Sequence, residues 1–181
     1  MTFIITRTGK RVDLLEPAAS MIDPVDIAHS LGMQCRFNGH TRAFYSVAQH
    51  CYIVADMVPE KYQLEALLHD ATEAYVGDLV GPLKQALPEY RQVEHHIWHA
   101  ICHRFDIDPV LPHCVHDADT IALATEKRDL MAEHADAWPC LAGTQPAAFR
   151  IQPWSPAEAS QHYVNRLMAL LATTHRARAA A

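Results

Sequence analysis

The stretch Leu64-Glu-Ala-Leu-Leu-His-Asp-Ala-Thr-Glu-Ala-Tyr75 decides how the rest of the chain is interpreted. Its apolar residues recur with the spacing of a helix that faces a core, which predicts one helix over residues 64–75. The same stretch carries His69, Asp70 and Glu73, whose spacings of three and four residues place them near one helix face. Ionisable side chains are costly to bury unless they are paired or bind a metal. The stretch therefore indicates a metal site within a helical core.

The apolar pattern on both sides of this stretch is also helical. The other predicted helices cover residues 24–31, 46–58, 89–105, 115–134 and 156–173. Gly32 is expected to end the first of them, because glycine is common directly after a helix. A loop is expected over residues 78–84, which follow Gly77 and contain the Gly81-Pro82 pair.

A short β-hairpin is predicted at the N-terminus, where residues 3–6 and 11–14 flank a Thr-Gly-Lys turn. The expected fold class is therefore all-α, a helical bundle with a small N-terminal β-hairpin. No linker or repeat divides the chain, so a single domain is expected over residues 1–174. Residues 175–181 are expected to form a disordered tail.

Composition narrows the class of protein. The chain has 181 residues, half of them apolar, which suits one globular domain. The net charge of −6 argues against a surface that binds a nucleic-acid polymer. No apolar run approaches the roughly 20 residues that span a bilayer, and the N-terminus does not have the pattern of a secretory signal. The five cysteines are odd in number and none are spaced as Cys-x-x-Cys, so a disulfide scaffold is not expected.

Two further residues can join the His69-Asp70 pair. His50 lies on the inward side of the helix predicted over residues 46–58, and Asp119 leads into an apolar helix. Two imidazoles and two carboxylates suit a divalent transition ion and leave positions open for water and substrate. The residues alone leave an alternative open: His50 can be a hydrogen-bonded core residue, and Asp119 can cap a helix or pair with an arginine.

Two longer blocks resemble a known family. They are Cys35-Arg-Phe-Asn-Gly-His-Thr-Arg-Ala-Phe-Tyr-Ser-Val-Ala-Gln-His50 and His69-Asp-Ala-Thr-Glu-Ala-Tyr-Val-Gly-Asp-Leu-Val-Gly-Pro-Leu-Lys84. The chain resembles the HD-domain phosphohydrolase superfamily, in particular 5′-deoxynucleotidases of the short phage or prophage type, over roughly residues 2–154. The family's ligand pattern H…HD…D falls on His50, His69, Asp70 and Asp119. The resemblance implies an HD-domain helical bundle with one divalent metal ion, which can be Mn, Co, Zn, Fe, Mg or Ni.

The resemblance also implies a role for residues beyond the ligands. Glu73 matches the family's catalytic glutamate, which orients water and passes a proton to the leaving 5′-oxygen without binding the metal. The implied substrate-binding residues are Arg36, Phe37, His40, Asp78 and Lys84. The three cationic ones match phosphate-binding positions, Asp78 matches the residue that holds the 3′-hydroxyl, and Phe37 stands where the family has tryptophan beside the deoxyribose. From the residues alone, other interpretations stay open: Arg36 can form a surface ion pair, Phe37 can be a core ring, Asp78 can be a turn or helix-cap residue, and Lys84 can be solvated.

These features lead to three functional hypotheses. The first is a metal-dependent 5′-deoxynucleotidase that releases phosphate from deoxynucleoside 5′-monophosphates. The alternative is a deoxynucleoside triphosphate triphosphohydrolase that releases tripolyphosphate, as in dATP-type phage enzymes. The third is a non-catalytic HD-like binding module, against which the presence of Glu73 beside a complete ligand set argues.

The expected partner is a small deoxynucleotide, with no nucleic-acid polymer and no membrane. A homo-oligomer is expected because the helix predicted over residues 89–105 carries more apolar surface, Val93, Ile97, Trp98 and Ile101, than a small bundle needs. The expected location is the cytoplasm of a bacterial or phage-infected bacterial cell.

Overall fold

A two-stranded antiparallel hairpin opens the chain in a computed structural model that describes residues 2–179, with side chains described as far as residue 173. Strand β1 covers Phe3–Ile5 and β2 covers Arg11–Asp13, with Phe3 opposite Asp13. Gly9 has a φ of +83° in the connecting turn, a left-handed conformation that glycine adopts without strain. The predicted hairpin is confirmed.

Helices make up most of the rest of the described chain. They are α1 Pro24–Met33, α2 Val47–Asp56, α3 Gln63–Leu68, α4 Glu73–Val76, α5 Gly81–Ala86, α6 Pro88–Phe105, α7 His113–Leu130 and α8 Pro156–Ala179. The prediction of an all-α fold with a small N-terminal hairpin is confirmed. Among residues 2–179, no helix is both long and apolar enough to cross a membrane.

Local capping explains where two of these helices begin. The Asp23 carboxylate accepts a hydrogen bond from the backbone N–H of Val25 at 2.9 Å, and proline occupies the first position of α1. The Ser46 hydroxyl accepts from the backbone N–H of Gln49 at 3.1 Å at the start of α2. Both starts agree with the sequence prediction.

The prediction that Gly32 ends α1 is wrong, because this helix continues to Met33. Gly32 instead lies against α8, where a Cβ atom added to it would be 2.1 Å from Oγ and 2.9 Å from the backbone N of Ser160. The glycine therefore allows two helix backbones to approach closely, and α8 packs along α1 at this point.

Replacing Gly32 by alanine is expected to lower the free energy of unfolding by about 1–3 kcal/mol, because overpacking forces the two helices apart. Chemical denaturation measures the change. Gly81→Ala in α5 is the matched control, since a Cβ added there meets no atom within 4 Å. Equal stability of the two variants would contradict the proposed close contact.

The prediction of one continuous helix over residues 64–75 is also wrong. α3 ends at Leu68 and α4 begins at Glu73, with turns between them. The Tyr163 hydroxyl of α8 donates to the Leu67 carbonyl at 2.7 Å, and the backbone N–H of Ala71 bonds instead to the Leu68 carbonyl at 2.9 Å. The chain therefore tightens into 3₁₀-type bonding where His69 and Asp70 lie.

Several boundaries differ from the sequence prediction, among them the end of α2, which lies at Asp56 rather than at residue 58. The loop expected over residues 78–84 includes the start of α5. Helix α7 covers His113–Leu130 rather than 115–134, and Asp119 lies in its second turn. Helix α8 continues to Ala179. The disordered tail expected at residues 175–181 stays a prediction: the side chains of residues 174–179, and residues 180–181 altogether, lie outside the described part.

The core lies where α1, α2, α3 and α8 meet, and buried residues of α6 and α7 complete it. Its largest fully buried side chains include Ile27, Leu31, Leu67, Ile97, Tyr163 and Leu167. His50 of α2 is fully buried beside them. A buried imidazole in such a core needs polar partners on both ring nitrogens, and these partners define the site.

Candidate metal centre

The four predicted ligands come together from three separate segments. Nε2 of His50 in α2 lies 3.3 Å from Nε2 of His69, 3.5 Å from Oδ2 of Asp70 and 3.1 Å from Oδ1 of Asp119. Nε2 of His69 lies 3.3 Å from Oδ2 of Asp70 and 3.9 Å from Oδ1 of Asp119. His50, His69 and Asp119 thus offer ligand atoms that all lie within 4.8 Å of one another, with Asp70 in contact with both imidazoles.

Hydrogen bonds behind the rings orient both imidazoles toward this centre. Nδ1–H of His50 donates to Oε1 of Glu126 at 2.6 Å, and Nδ1–H of His69 donates to the carbonyl of Ala66 at 2.8 Å. In neutral rings these bonds leave the Nε2 lone pairs facing inward, toward the carboxylate of Asp70. Two nitrogen and two oxygen acceptors then face one another without a donor between them, so the cluster can hold a metal ion.

The electrostatics of the cluster favour positive charge at its centre. Burial and Arg36 lower the pKa of His50, but Glu126 and Asp119 outweigh them and raise it. Burial by itself would raise the pKa of Asp70. His69, His50 and Arg36 outweigh burial and hold the pKa of this carboxyl well below its usual range. A proton or a metal ion can supply the charge that these ligands favour.

Glu126 of α7 supports the centre, and the sequence analysis missed it. Its fully buried carboxylate accepts from Nδ1–H of His50, from the Tyr45 hydroxyl at 2.9 Å and from Nη2 of Arg36 at 3.3 Å. Burial raises the pKa of Glu126, but Arg36 and His50 outweigh it, so the pKa is lowered and the carboxylate stays charged. The available signal was its place seven residues after Asp119, on the same helix face and shortly after the apolar residues 121–124.

Glu126→Ala is expected to lower metal affinity by about 10–100-fold, because the imidazole of His50 loses the partner that fixes its orientation. The same change leaves Arg36 buried without its main partner, so the free energy of unfolding should fall by about 3–5 kcal/mol. Calorimetric metal titration and chemical denaturation measure the two effects. Glu133→Ala on the exposed segment after α7 is the control and should change neither. Metal affinity equal to that of the unmodified protein would show that Glu126 does not orient the ligand.

Glu73 lies at the start of α4, directly after the His69-Asp70 turn. Its side chain is 4% exposed, and its Oε2 atom has no hydrogen-bond partner among the described residues. Burial, with the neighbouring carboxylates of Asp70 and Asp78, raises the pKa of Glu73 well above its usual range. The backbone is held from behind, because Nε2 of Gln34 donates to the Glu73 carbonyl at 2.9 Å. This buried, unpartnered carboxyl can exchange a proton with a group brought beside the cluster.

The predicted substrate-binding residues divide into three cases. Arg36 is buried, and its Nη1 lies 3.6 Å from Oδ2 of Asp70. Asp78 and Lys84 are half-buried and act electrostatically on Glu73; burial raises the pKa of Asp78, and Nζ of Lys84 pairs with Glu94. His40 is exposed, and in the part of the chain that the structure describes, no side-chain hydrogen bond or ion pair joins it to the cluster.

The chain is similar in sequence to two bacterial proteins. It is 42% identical over 170 residues to the uncharacterized protein YfdR of Escherichia coli strain K12, a match that covers 92% of this chain and 94% of that protein. The chain belongs to the YfdR family. It is also 34% identical over 137 residues to the uncharacterized protein RCAP_rcc00048 of Rhodobacter capsulatus, covering 68% of this chain and 70% of that protein. No protein-family model matches it.

In this member of the YfdR family, the loop that carries Arg36 and Phe37 has an unusual backbone. Phe37 and Asn38 have φ values of 53° and 51°, and Gly39 follows at 79°. The left-handed region is uncommon for an aromatic residue and costs free energy unless the surroundings hold it. The Phe37 ring lies 6.2 Å from that of Trp138 and 5.2 Å from Cζ of Arg36. The loop therefore places an arginine and a ring together beside the ligand cluster.

Proposed function

We propose that this protein is a metal-dependent HD-domain phosphohydrolase that removes phosphate from deoxynucleoside 5′-monophosphates. The observation that carries the proposal is the buried, unpartnered carboxyl of Glu73 next to four converging metal-ligand side chains. A binding module has no use for a proton-exchanging group at that position. The resemblance of residues 35–50 and 69–84 to 5′-deoxynucleotidases supports the same reaction class.

The chemistry follows from the positions of the side chains. A divalent cation held by His50, His69, Asp70 and Asp119 would draw charge from the phosphoryl oxygens and make water a better nucleophile. Water attacks phosphorus as the bond from phosphorus to the 5′-oxygen breaks, and Glu73 orients that water and gives the leaving 5′-oxygen its proton. The planar fork of Arg36 suits phosphate, and its position beside Asp70 lets it bind the same group.

The number of cations near the cluster favours a monophosphate over a triphosphate. Of the three predicted phosphate-binding side chains, Arg36 contacts the ligands and Lys84 acts on Glu73, whereas His40 is exposed. A triphosphate carries more negative charge than these two cations offset. The unpartnered Oδ2 atom of Asp78 is available to accept a sugar hydroxyl, which agrees with a nucleotide as substrate.

The decisive experiment is a product analysis on metal-loaded protein. The protein is stripped with a chelator, reloaded with Mn²⁺, Co²⁺, Zn²⁺ or Mg²⁺, and incubated with deoxynucleoside and ribonucleoside mono- and triphosphates. Chromatography should detect orthophosphate and deoxynucleoside from the deoxynucleoside monophosphates. Tripolyphosphate from triphosphates would establish the triphosphohydrolase instead. Bound metal without any product would favour the non-catalytic module.

The homo-oligomer remains a prediction. Within this chain, Ile97 and Ile101 of α6 are fully buried, and Nε1–H of Trp98 donates to the Pro109 carbonyl at 2.9 Å. Less apolar surface is thus available for a second copy than the sequence indicated. Light scattering over a range of protein concentrations measures the state, and a constant monomer mass would remove the prediction.

A further inference from the structure

Cys51 is a buried thiol that the proposed reaction does not use. It follows His50 directly in α2, and because successive residues turn by about 100° around a helix, its side chain points in a different direction. It is fully buried, and burial raises the pKa of its thiol to about 11. The Cys51 sulfur, a carboxylate oxygen of Asp70 and a ring nitrogen of His69 all lie within 4.8 Å of one another.

This sulfur-containing set overlaps the first one. Both sets use His69, whose Nδ1–H donates to the Ala66 carbonyl. Nε2 is therefore the only nitrogen of His69 left to bind a cation in either set. A single nitrogen lone pair serves one ion at a time, so a cation on the sulfur side and a cation on the His50 and Asp119 side exclude each other.

A further acidic group acts on the side chains of this sulfur-containing set. The carboxyl of Glu73 is nine-tenths buried, has no partner for its Oε2 atom, and acts electrostatically on both Cys51 and Asp70. Two carboxyl groups, a thiol and an imidazole thus share a poorly solvated region. A cation held by Cys51, His69 and Asp70 would reduce the electrostatic repulsion among these acidic groups.

We propose that Cys51, His69 and Asp70 form a second cation position, selective for thiophilic divalent ions such as Cd²⁺ and Zn²⁺. Sulfur ligands favour soft ions, whereas the nitrogen and oxygen ligands of the first position also accept harder ones. Binding converts the thiol to a metal thiolate and releases its proton to solvent, and no electron is transferred. Occupation of the second position takes His69 and Asp70 away from His50 and Asp119.

The consequence is metal selection by competition. A hard ion such as Mn²⁺ takes the position that contains His50 and Asp119, and a soft ion takes the one that contains Cys51. A soft ion then displaces Mn²⁺, so the protein binds one metal ion per chain in either case. The binding claim stands on the three side chains and does not depend on turnover, so it can fail or succeed separately from the proposed function.

The test uses Cd²⁺ and Mn²⁺ with the full-length protein and the variant Cys51→Ala. In the unmodified protein, Cd²⁺ should produce a sulfur-to-cadmium charge-transfer absorption that saturates together with the release of one Mn²⁺. Cys51→Ala should lose this absorption, with Cd²⁺ affinity reduced by at least about tenfold, the lower end of what loss of a metal-supporting residue costs. Its Mn²⁺ affinity, measured by electron paramagnetic resonance, should be unchanged.

Three controls separate this position from the other thiols. Cys102→Ala removes another buried thiol, in α6, and Cys140→Ser removes an exposed one; both should keep the absorption. His69→Ala keeps every thiol and should lose it. Persistence of the absorption in Cys51→Ala or in His69→Ala would overturn the proposal. Equal losses of Cd²⁺ and Mn²⁺ affinity in Cys51→Ala would overturn it too, because Cys51 would then only support the fold around the first position.

Discussion

Glu73→Gln is expected to lower kcat by about 10²–10⁴-fold, the range that general acid and base groups contribute. Glutamine has nearly the same shape, so the turn that carries His69 and Asp70 should keep its geometry. The glutamine side chain cannot release and regain a proton, as the carboxyl group of Glu73 can at its unpartnered Oε2 atom. Phosphate release from deoxynucleoside monophosphates measures kcat, and elemental analysis measures bound metal, which should remain at the level of the unmodified protein.

Glu65→Gln is the matched control for this experiment. Glu65 lies in α3, a short distance before the candidate ligands in sequence, and one of its carboxyl oxygens is buried with no hydrogen-bond partner in the described part of the chain. Its substitution should leave kcat unchanged. Loss of metal from Glu73→Gln would instead make Glu73 a ligand, and unaltered kcat with metal bound would remove it from the reaction.

The second large effect is expected from His69→Ala, which removes a ligand with contacts to both carboxylates and to the other imidazole. Metal affinity should fall by more than the roughly 10–100-fold that loss of an outer-sphere partner costs. At metal concentrations that are just sufficient to saturate the unmodified protein, His69→Ala should therefore show no turnover. Calorimetric titration with Mn²⁺ measures the affinity directly.

A surface histidine provides the control for that substitution. His99 of α6 is exposed, and its Nε2 lies 3.0 Å from Nε2 of His95. His99→Ala should leave Mn²⁺ affinity and kcat as they were. If His99→Ala weakened binding as much as His69→Ala, the metal would be held on the surface of α6, and the buried centre would be wrong.

Features that depend on neighbouring residues could be predicted from the sequence. Asp23 and Ser46 mark helix starts because a capping side chain bonds to a backbone group only two or three residues away. The hairpin is equally local, since a short turn fixes its register. The candidate metal ligands could be predicted because they match the order of a known family's ligand pattern, although their convergence requires the whole fold.

The errors have a different physical origin. Helix α3 ends at Leu68, beside the hydrogen bond that Tyr163 donates to the Leu67 carbonyl. These two residues are 96 positions apart, so no local propensity indicates the contact. The sequence predicts a helix end at Gly32, because the contact with Ser160 that this glycine allows lies far away in the chain and has no local signal. Glu126 was missed because a glutamate on a helix is usually solvated, and only its burial against His50 reveals its role.

The hydrogen bond between Tyr163 and Leu67 has a consequence for protein synthesis. A ribosome adds about 5–20 residues per second and delivers the N-terminal part first. A nascent chain therefore exposes His50, His69, Asp70 and Asp119 for several seconds before the hydroxyl that bonds to the end of α3 exists. During that interval the candidate ligands lack the contact at the end of α3, so we expect their cation-binding arrangement to form only after α8 has been made.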